Sequence, residues 1–326
     1  MRLGDKLPDG SDATLASAEQ KLMKIRSTRI RPGLDDKILT AWNGLAIRAM
    51  AVGYQVLGDH RYRDAAQKTA GFLLKKLRTK DGRLLRRWHN GSAKYLAYLN
   101  DYAYLIEGLT TLYQTDFDLR WYRAALSLQG HQDRLFWDKR NGGYFFSDGT
   151  DLSLLKRKKT FHDTALPSGN GVSALNLLKL ADLSLNSDFK QHAGRIIATE
   201  GLKVVGAPED YAQILIALEY LLDSSKEVAV VGPPEHPATK QTLAYLHRTF
   251  LPNQVIVVGP PVEDDDLANT TIPLIFNKPM LKGQPTTYVC ENNICQLPTI
   301  DFEKIKTFTA TAKTYSWDQS ELGKTE

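Results

Sequence analysis

The sequence predicts a mainly α fold, a partial toroid of α/α hairpins followed by a small α/β segment. Three observations carry this. Between Trp42 and Leu222 two kinds of helical segment alternate, one apolar over most of its surface and one amphipathic. The turns joining them resemble one another. After Leu222 the texture changes to short β runs separated by prolines.

The first kind of segment is seen at Leu45, Ala46, Ala49, Met50, Gly53 and Val56, and again at Tyr102, Leu105, Ile106, Leu109, Leu112 and Tyr113. Val172, Leu175, Leu178 and Leu183 repeat it, as do Ile214, Leu215, Leu218, Leu221 and Leu222. The second kind covers Arg61–Arg78, Arg120–Trp137 and Asp188–Val204, where one apolar stripe faces Lys, Arg, Asp and Gln. Helices covered on all sides are apolar all round, and helices with one wet face are amphipathic. Alternation of the two fits an inner and an outer layer. The turns at Gly58-Asp59, Thr115-Asp116 and Asn186-Ser187-Asp188 each supply an N-cap, then an aromatic, then a small residue. This repetition predicts stacked hairpins.

Two hairpin-like stretches interrupt the helices. Arg83–Trp88 and Ala93–Tyr98 flank His89-Asn90-Gly91-Ser92, and Gly143–Phe146 and Leu152–Arg157 flank Asp148-Gly149-Thr150. Further on, Lys226–Gly232 and Gln254–Gly259 are apolar β runs on either side of a helix, Thr239–Phe250, so a parallel β-α-β unit is expected. A third strand is expected over Thr286–Val289. The chain divides into an N-terminal extension with a short helix (1–34), toroid hairpins (35–223), a small α/β segment (224–310) and a frayed tail (311–326).

Bulk properties narrow the function classes. The 326 residues are 42% hydrophobic and 24% charged, enough core for one large domain or a large and a small one. No run of about 18 apolar residues is present, so no membrane span is expected. Met1–Lys21 is polar and does not read as a secretory signal. The net charge of +5 is dispersed except at Lys156-Arg157-Lys158-Lys159, read as a solvated strand edge; no recognition module accompanies it, so no nucleic-acid partner is expected. Two cysteines, Cys290 and Cys295, suit a reducing, cytoplasmic setting. Their Cys-x4-Cys spacing is neither a redox motif nor, with no His nearby, a zinc site. They are expected to be buried or incidental thiols, with nothing basic beside them to make a reactive thiolate. No metal and no cofactor are expected.

Four polar stretches precede the four apolar helices: Leu34–Lys37, Leu99–Tyr102, Leu166–Asn170 and Ala207–Asp210. If the apolar helices stand side by side and point the same way, these stretches gather at one mouth. Any of Asp36, Asp101, Asn170 and Asp210 taken alone reads as an N-cap, a contribution of about 1 kcal/mol. Together with Asp35, Asn43 and Arg86 they are hydrogen-bonding equipment for sugar hydroxyls, and Trp42, Trp88, Tyr102 and Tyr144 offer faces for the C–H side of a pyranose. A carboxylate pair, Asp36 and Asp101, could perform acid–base work of the glycosidase kind. His162, beside Asp163, is the best-placed histidine for moving a proton. No Gly-x-Ser-x-Gly elbow and no phosphate loop of the Gly-x4-Gly-Lys-Ser/Thr form are found.

Several of these stretches form longer motifs. Arg31-Pro32-x-Leu34-Asp35-Asp36-Lys37-Ile38-Leu39-Thr40-x-Trp42-Asn43-Gly44-Leu45 resembles the signature of the thioredoxin-domain-containing YyaL family, which includes spermatogenesis-associated thioredoxin-like proteins. Leu99-x-Asp101-Tyr102-Ala103-x-Leu105-Ile106-Glu107-Gly108-Leu109, Gly142–Phe146, Pro167–Leu178 and Tyr288–Pro298 agree with it. The likeness spans about residues 20 to 300. It implies a six-hairpin glycosidase-like toroid, similar to N-acylglucosamine 2-epimerases and cellobiose 2-epimerases, with a small α/β segment after it. Family members carry a thioredoxin-like domain before the toroid. The alternating helices here are fewer than the twelve of a closed ring, so the chain is expected to be a piece of a longer protein or to complete its wall with a partner. Asn100 departs from the acidic residue expected before Asp101, and the paired histidines of true epimerases have no match.

The expectation is therefore a carbohydrate-active or carbohydrate-binding protein whose partner is a small saccharide. The alternative is a non-enzymatic scaffold that docks a thioredoxin-like domain, a peptide or a second copy on the apolar edge left by missing hairpins.

Overall fold

The computed structural model describes residues 11–150, 155–223, 225–262, 272–291 and 294–310. It contains two compact units, one ending at Lys37 and one beginning at Ile38. The first unit holds helix α1, Ser11–Ser27, which buries none of its residues. The short helix expected within residues 1–34 is 17 residues long.

The second unit opens with a two-residue strand β1, Ile38–Leu39, that runs directly into α2, Thr40–Leu57. Helix α3 follows at His60–Lys76, then a hairpin of β2 (Leu85–His89) and β3 (Ser92–Leu96). Two further helical hairpins are α4 (Leu99–Asp116) with α5 (Leu119–Phe136), and α6 (Gly169–Ser184) with α7 (Ser187–Thr199). A short α8, Gly201–Gly206, leads to α9, Ala212–Leu222.

The three inter-helix turns share one chemistry. Each inner helix ends on a left-handed residue, Gly58, Phe117 or Leu185, which reverses the chain. The next residue caps the outer helix: Asp59 accepts from Arg61 N–H, Asp118 from Arg120 N–H and Asn186 from Asp188 N–H. Asp116, the acid that the sequence singled out in the second turn, instead accepts from the Trp121 indole and the Gln67 amide.

Helices α2, α4, α6 and α9 lie side by side in that order, with α3, α5 and α7 packed outside them. This is an incomplete α/α toroid. The outer helices bury one stripe each, for example Ala66, Ala70 and Leu73 in α3. Helices α4 and α6 are buried on almost every side. Helix α2 is not, because a flank carrying Met50, Val52, Val56 and Leu57 faces solvent. At the α2–α4 crossing the backbones touch. A Cβ at Gly108 would stand 2.6 Å from the Gly44 carbonyl oxygen, so only glycine admits this approach.

The α/β segment forms a four-stranded sheet ordered β5-β4-β6-β7, from β4 (Lys226–Val231), β5 (Gln254–Gly259), β6 (Thr286–Glu291) and β7 (Ile294–Cys295). β4 and β5 are parallel and joined through α10, Pro237–Arg248, as a right-handed crossover rule anticipates. β6 runs antiparallel to β4. Alternate residues divide between two cores: Ala229, Val231, Val255 and Val257 join the helical core, while Val228, Val230, Ile256 and Val258 pack with Leu246 of α10. Helix α11, Phe302–Ala310, closes the described chain.

Three expectations are corrected. The second β-hairpin does not form over the described residues: Tyr144 bridges to Trp137, and Phe146 N–H donates to the Lys158 carbonyl. The proposed partner strand begins at Leu152, and residues 151–154 lie outside the described residues. The basic run is not a strand edge, since Arg157 donates to the Ser147 and Leu135 carbonyls and Lys159 pairs with Asp138. Cys290 and Cys295 are not free thiols; they face each other across β6 and β7 and form a disulfide. The expected frayed tail, 311–326, lies outside the described residues. Among those residues no helix is long and apolar enough to cross a membrane.

Candidate functional site

The starts of the four inner helices are joined to one another by hydrogen bonds. Asp101, in the first turn of α4, is fully buried. Its Oδ1 accepts from Ala41 N–H in the first turn of α2 at 3.0 Å. Its Oδ2 accepts from Tyr98 N–H at 2.9 Å and contacts Arg86 Nη1 at 3.4 Å. Burial pushes the Asp101 carboxyl up to about 6; the backbone N–H of Tyr98, the Arg86 charge and the Ala41 N–H oppose that rise. Helix α6 begins against α4, and a Cβ at Gly169 would stand 2.3 Å from Asn100 Oδ1. Tyr104, one turn into α4, donates to the Pro167 carbonyl at 2.5 Å. Asp163 then ties α6 to α9: Oδ1 accepts from Ser168 N–H at 2.7 Å and Oδ2 from Gln213 N–H at 2.8 Å. The inner N-termini therefore share one end of the second unit, where their dipoles favour negative charge.

The expected site residues divide by location. At this shared end, Trp42 is 61% exposed on the first turn of α2, and Asn43 donates to the Leu39 carbonyl at 2.8 Å. Arg86 lies on β2 beneath Asp101, with its guanidinium 4.9 Å from the centre of the Tyr98 ring. Asn170 is buried, accepting from Tyr144 N–H and donating to the Tyr144 and Thr160 carbonyls. His162 and Asp210 are exposed, and the Asp210 carbonyl accepts from Asp163 N–H. Asp35 and Asp36 belong to the first unit, where both are exposed and Asp35 pairs with Lys37.

Three expected stacking platforms are spent on packing. The Tyr102 hydroxyl accepts from Leu84 N–H within the core. The Tyr144 hydroxyl donates to Asp133 and accepts from Gln129, also fully buried. Trp88 is half-buried, edge-on to Phe72. Burial removes these rings from any exposed face; the local pattern could not show it, because Tyr102 follows Asp101 and Tyr144 sits in a stretch expected to be a hairpin.

A second constellation was not anticipated. Three inner helices place charged side chains beside one another: Arg48 in α2, Glu107 in α4 and Lys179 in α6. Arg48 Nε lies 2.9 Å from Glu107 Oε1. Burial raises the Glu107 carboxyl, against the pull of Arg48 and Lys179. Burial lowers the Lys179 ammonium, against the opposing field of Glu107. Arg48 and Lys179 line a cleft of about 330 Å³ together with Gln55, Thr111, Gln114, His247 and Arg248. His247 Nε2 lies 3.1 Å from the Gln114 carbonyl, and burial drives its pKa down to about 4, so the ring is neutral at neutral pH. The signal that could have found this wall was a charged residue inside the apolar stretch of three inner helices, Arg48, Glu107 and Lys179. Among the described residues no group of three His, Cys, Asp or Glu side chains is placed to hold a metal.

No family model matches the chain. The sequence is similar to spermatogenesis-associated protein 20 of Rattus norvegicus, with 32% identity over 301 residues, 89% of this chain and 38% of that protein. The protein of the same name from Homo sapiens is 32% identical over 299 residues, 88% of this chain and 38% of its own length. The chain thus spans 38% of the length of these curated relatives. Among solved structures, a GH76 alpha-mannanase of Bacteroides thetaiotaomicron aligns with a TM-score of 0.46 at 14% identity, over 59% of this chain and 54% of that one. Cellobiose 2-epimerase from Spirochaeta thermophila aligns with a TM-score of 0.42 at 13% identity, over 50% and 43%.

Proposed function

We propose that this is a carbohydrate-binding toroid protein whose saccharide sits at the rim where the inner helices begin. The observation that supports this most is the pairing of Asp101 with Arg86 next to the exposed ring of Trp42. A flat aromatic takes the apolar face of a pyranose, and a guanidinium and amides take its hydroxyls. Asp101, with a pKa of about 6, exchanges a proton close to neutral pH. Asp101 is itself fully buried with both oxygens engaged, so its part in this site is to hold Arg86 at the rim. The rim as proposed is built from the second unit alone. A cytoplasmic setting and membership of a longer thioredoxin-domain protein belong to the same reading.

Isothermal titration with mannose, glucose and cellobiose tests it. Low-millimolar binding of one of them is expected, weakened about tenfold, or 1.4 kcal/mol, by Trp42→Ala and by Arg86→Ala. Absence of binding by all three sugars, or binding indifferent to both changes, overturns it.

The scaffold reading draws on a separate observation, the exposed flank of α2. Val52, Val56 and Leu57 are 38%, 46% and 63% exposed on one helix. These exposed apolar side chains, of which Val52 and Val56 also line the cleft beside Arg48, suit docking by a thioredoxin-like domain or a second copy. Light scattering of the purified protein would show a dimer if the occupant is a second copy.

A further inference from the structure

We propose that the cleft between the inner helices and the connection from α10 to β5 binds the phosphate group of a small phosphorylated sugar, held by Lys179 and Arg48. The inference is independent of the rim site: Glu107 lies six residues beyond Asp101, about 9 Å further along α4.

The cleft is unbalanced in charge. Arg48, Lys179 and Arg248 line it, against two carboxylates outside the lining, Glu107 beside Arg48 and Asp182 in the field of Lys179. His247 is neutral and adds no charge. Glu107 has its closest cationic contact with Arg48, through Nε at 2.9 Å. Lys179 forms no hydrogen bond or ion pair with the described residues, although its ammonium carries three donors. A largely desolvated lysine with no direct hydrogen-bond or ion-pair partner is costly, and an anion in the cleft removes that cost. Arg48 is half exposed and presents a guanidinium, whose fork suits phosphate oxygens.

The remainder of the lining mixes Gln55, Thr111 and Gln114 with Val52, Val56 and Ile256, which suits a body carrying both hydroxyls and apolar C–H faces. The volume of about 330 Å³ falls in the range of small-molecule sites and admits a monosaccharide phosphate. A phosphate monoester is close to a dianion at neutral pH, which matches two converging cations.

Calorimetry with glucose 6-phosphate, inorganic phosphate and glucose tests the proposal on the whole chain. Glucose 6-phosphate is expected to bind at least about tenfold more tightly than inorganic phosphate or glucose, and more weakly as salt rises. Lys179→Met and Arg48→Gln should each weaken it about tenfold, Lys179→Arg should retain it, and Trp42→Ala should leave it unchanged. If Lys179→Met fails to fold, Arg48→Gln, at a half-exposed position, carries the test. Equal affinity for glucose and its phosphate, or phosphate binding unaffected by Arg48→Gln, overturns the proposal. Inorganic phosphate binding as tightly as the sugar phosphate also overturns it, since the site would then take the ion alone. Failure of the rim reading leaves these results untouched, because neutral sugar binding and phosphate binding are read separately.

Discussion

Asp101 accepts a hydrogen bond from the Ala41 backbone at 3.0 Å, so one carboxylate both caps α4 and anchors the first turn of α2. Two inner helices are thereby set to a common level by a residue inside neither turn of the chain that joins them. Its proton then becomes a stability variable. The native carboxyl has a pKa of about 6 against an ordinary 3.8, so the native state binds the extra proton between those values. Stability contributed by this group is full below pH about 4 and declines as pH rises to about 6, by up to about 3 kcal/mol at 1.36 kcal/mol per unit. Glu107, Asp133 and Asp182, all raised by burial, add in the same direction. Thermal melts of the parent and Asp101→Asn across pH 4 to 7 should show a shallower decline in the variant.

Asp163 caps two helices at once through its two oxygens. Asp163→Ala should cost about 2 kcal/mol, the sum of two ordinary caps, read as a lower urea midpoint with an unchanged slope. A loss below half of that would mean that water replaces the carboxylate at one helix.

Gly108 leaves no room for a side chain. Its Cβ would stand 2.6 Å from the Gly44 carbonyl oxygen and 3.2 Å from Ile47 Cβ. Because the first neighbour is backbone, Gly108→Ala should destabilise by about 2 to 3 kcal/mol, despite alanine's better helix propensity. Chemical denaturation measures it directly.

Leu185 ends α6 at φ 53° and is 43% exposed. A left-handed leucine costs roughly 1 kcal/mol that glycine avoids. Leu185→Gly should raise the melting temperature slightly, with a gain of up to about 0.5 kcal/mol after the entropy of the unfolded glycine is counted.

What the sequence determined was local. Apolar and amphipathic periods marked the inner and outer helices, and the Gly58-Asp59 and Asn186-Ser187-Asp188 turns announced the reversals, because caps and helix faces depend on neighbours a few residues away. The parallel pair β4 and β5 was legible for the same reason, as two apolar runs around one helix. The common end of the inner helices followed from antiparallel hairpins, but its linkage through Asp101 and Asp163 did not. Only tertiary packing decided that Tyr102 and Tyr144 turn inward, that Cys290 meets Cys295, and that Arg48, Glu107 and Lys179 converge. Those residues lie on separate helices, and side-chain direction across a helix interface depends on crossing geometry that no single stretch of chain encodes.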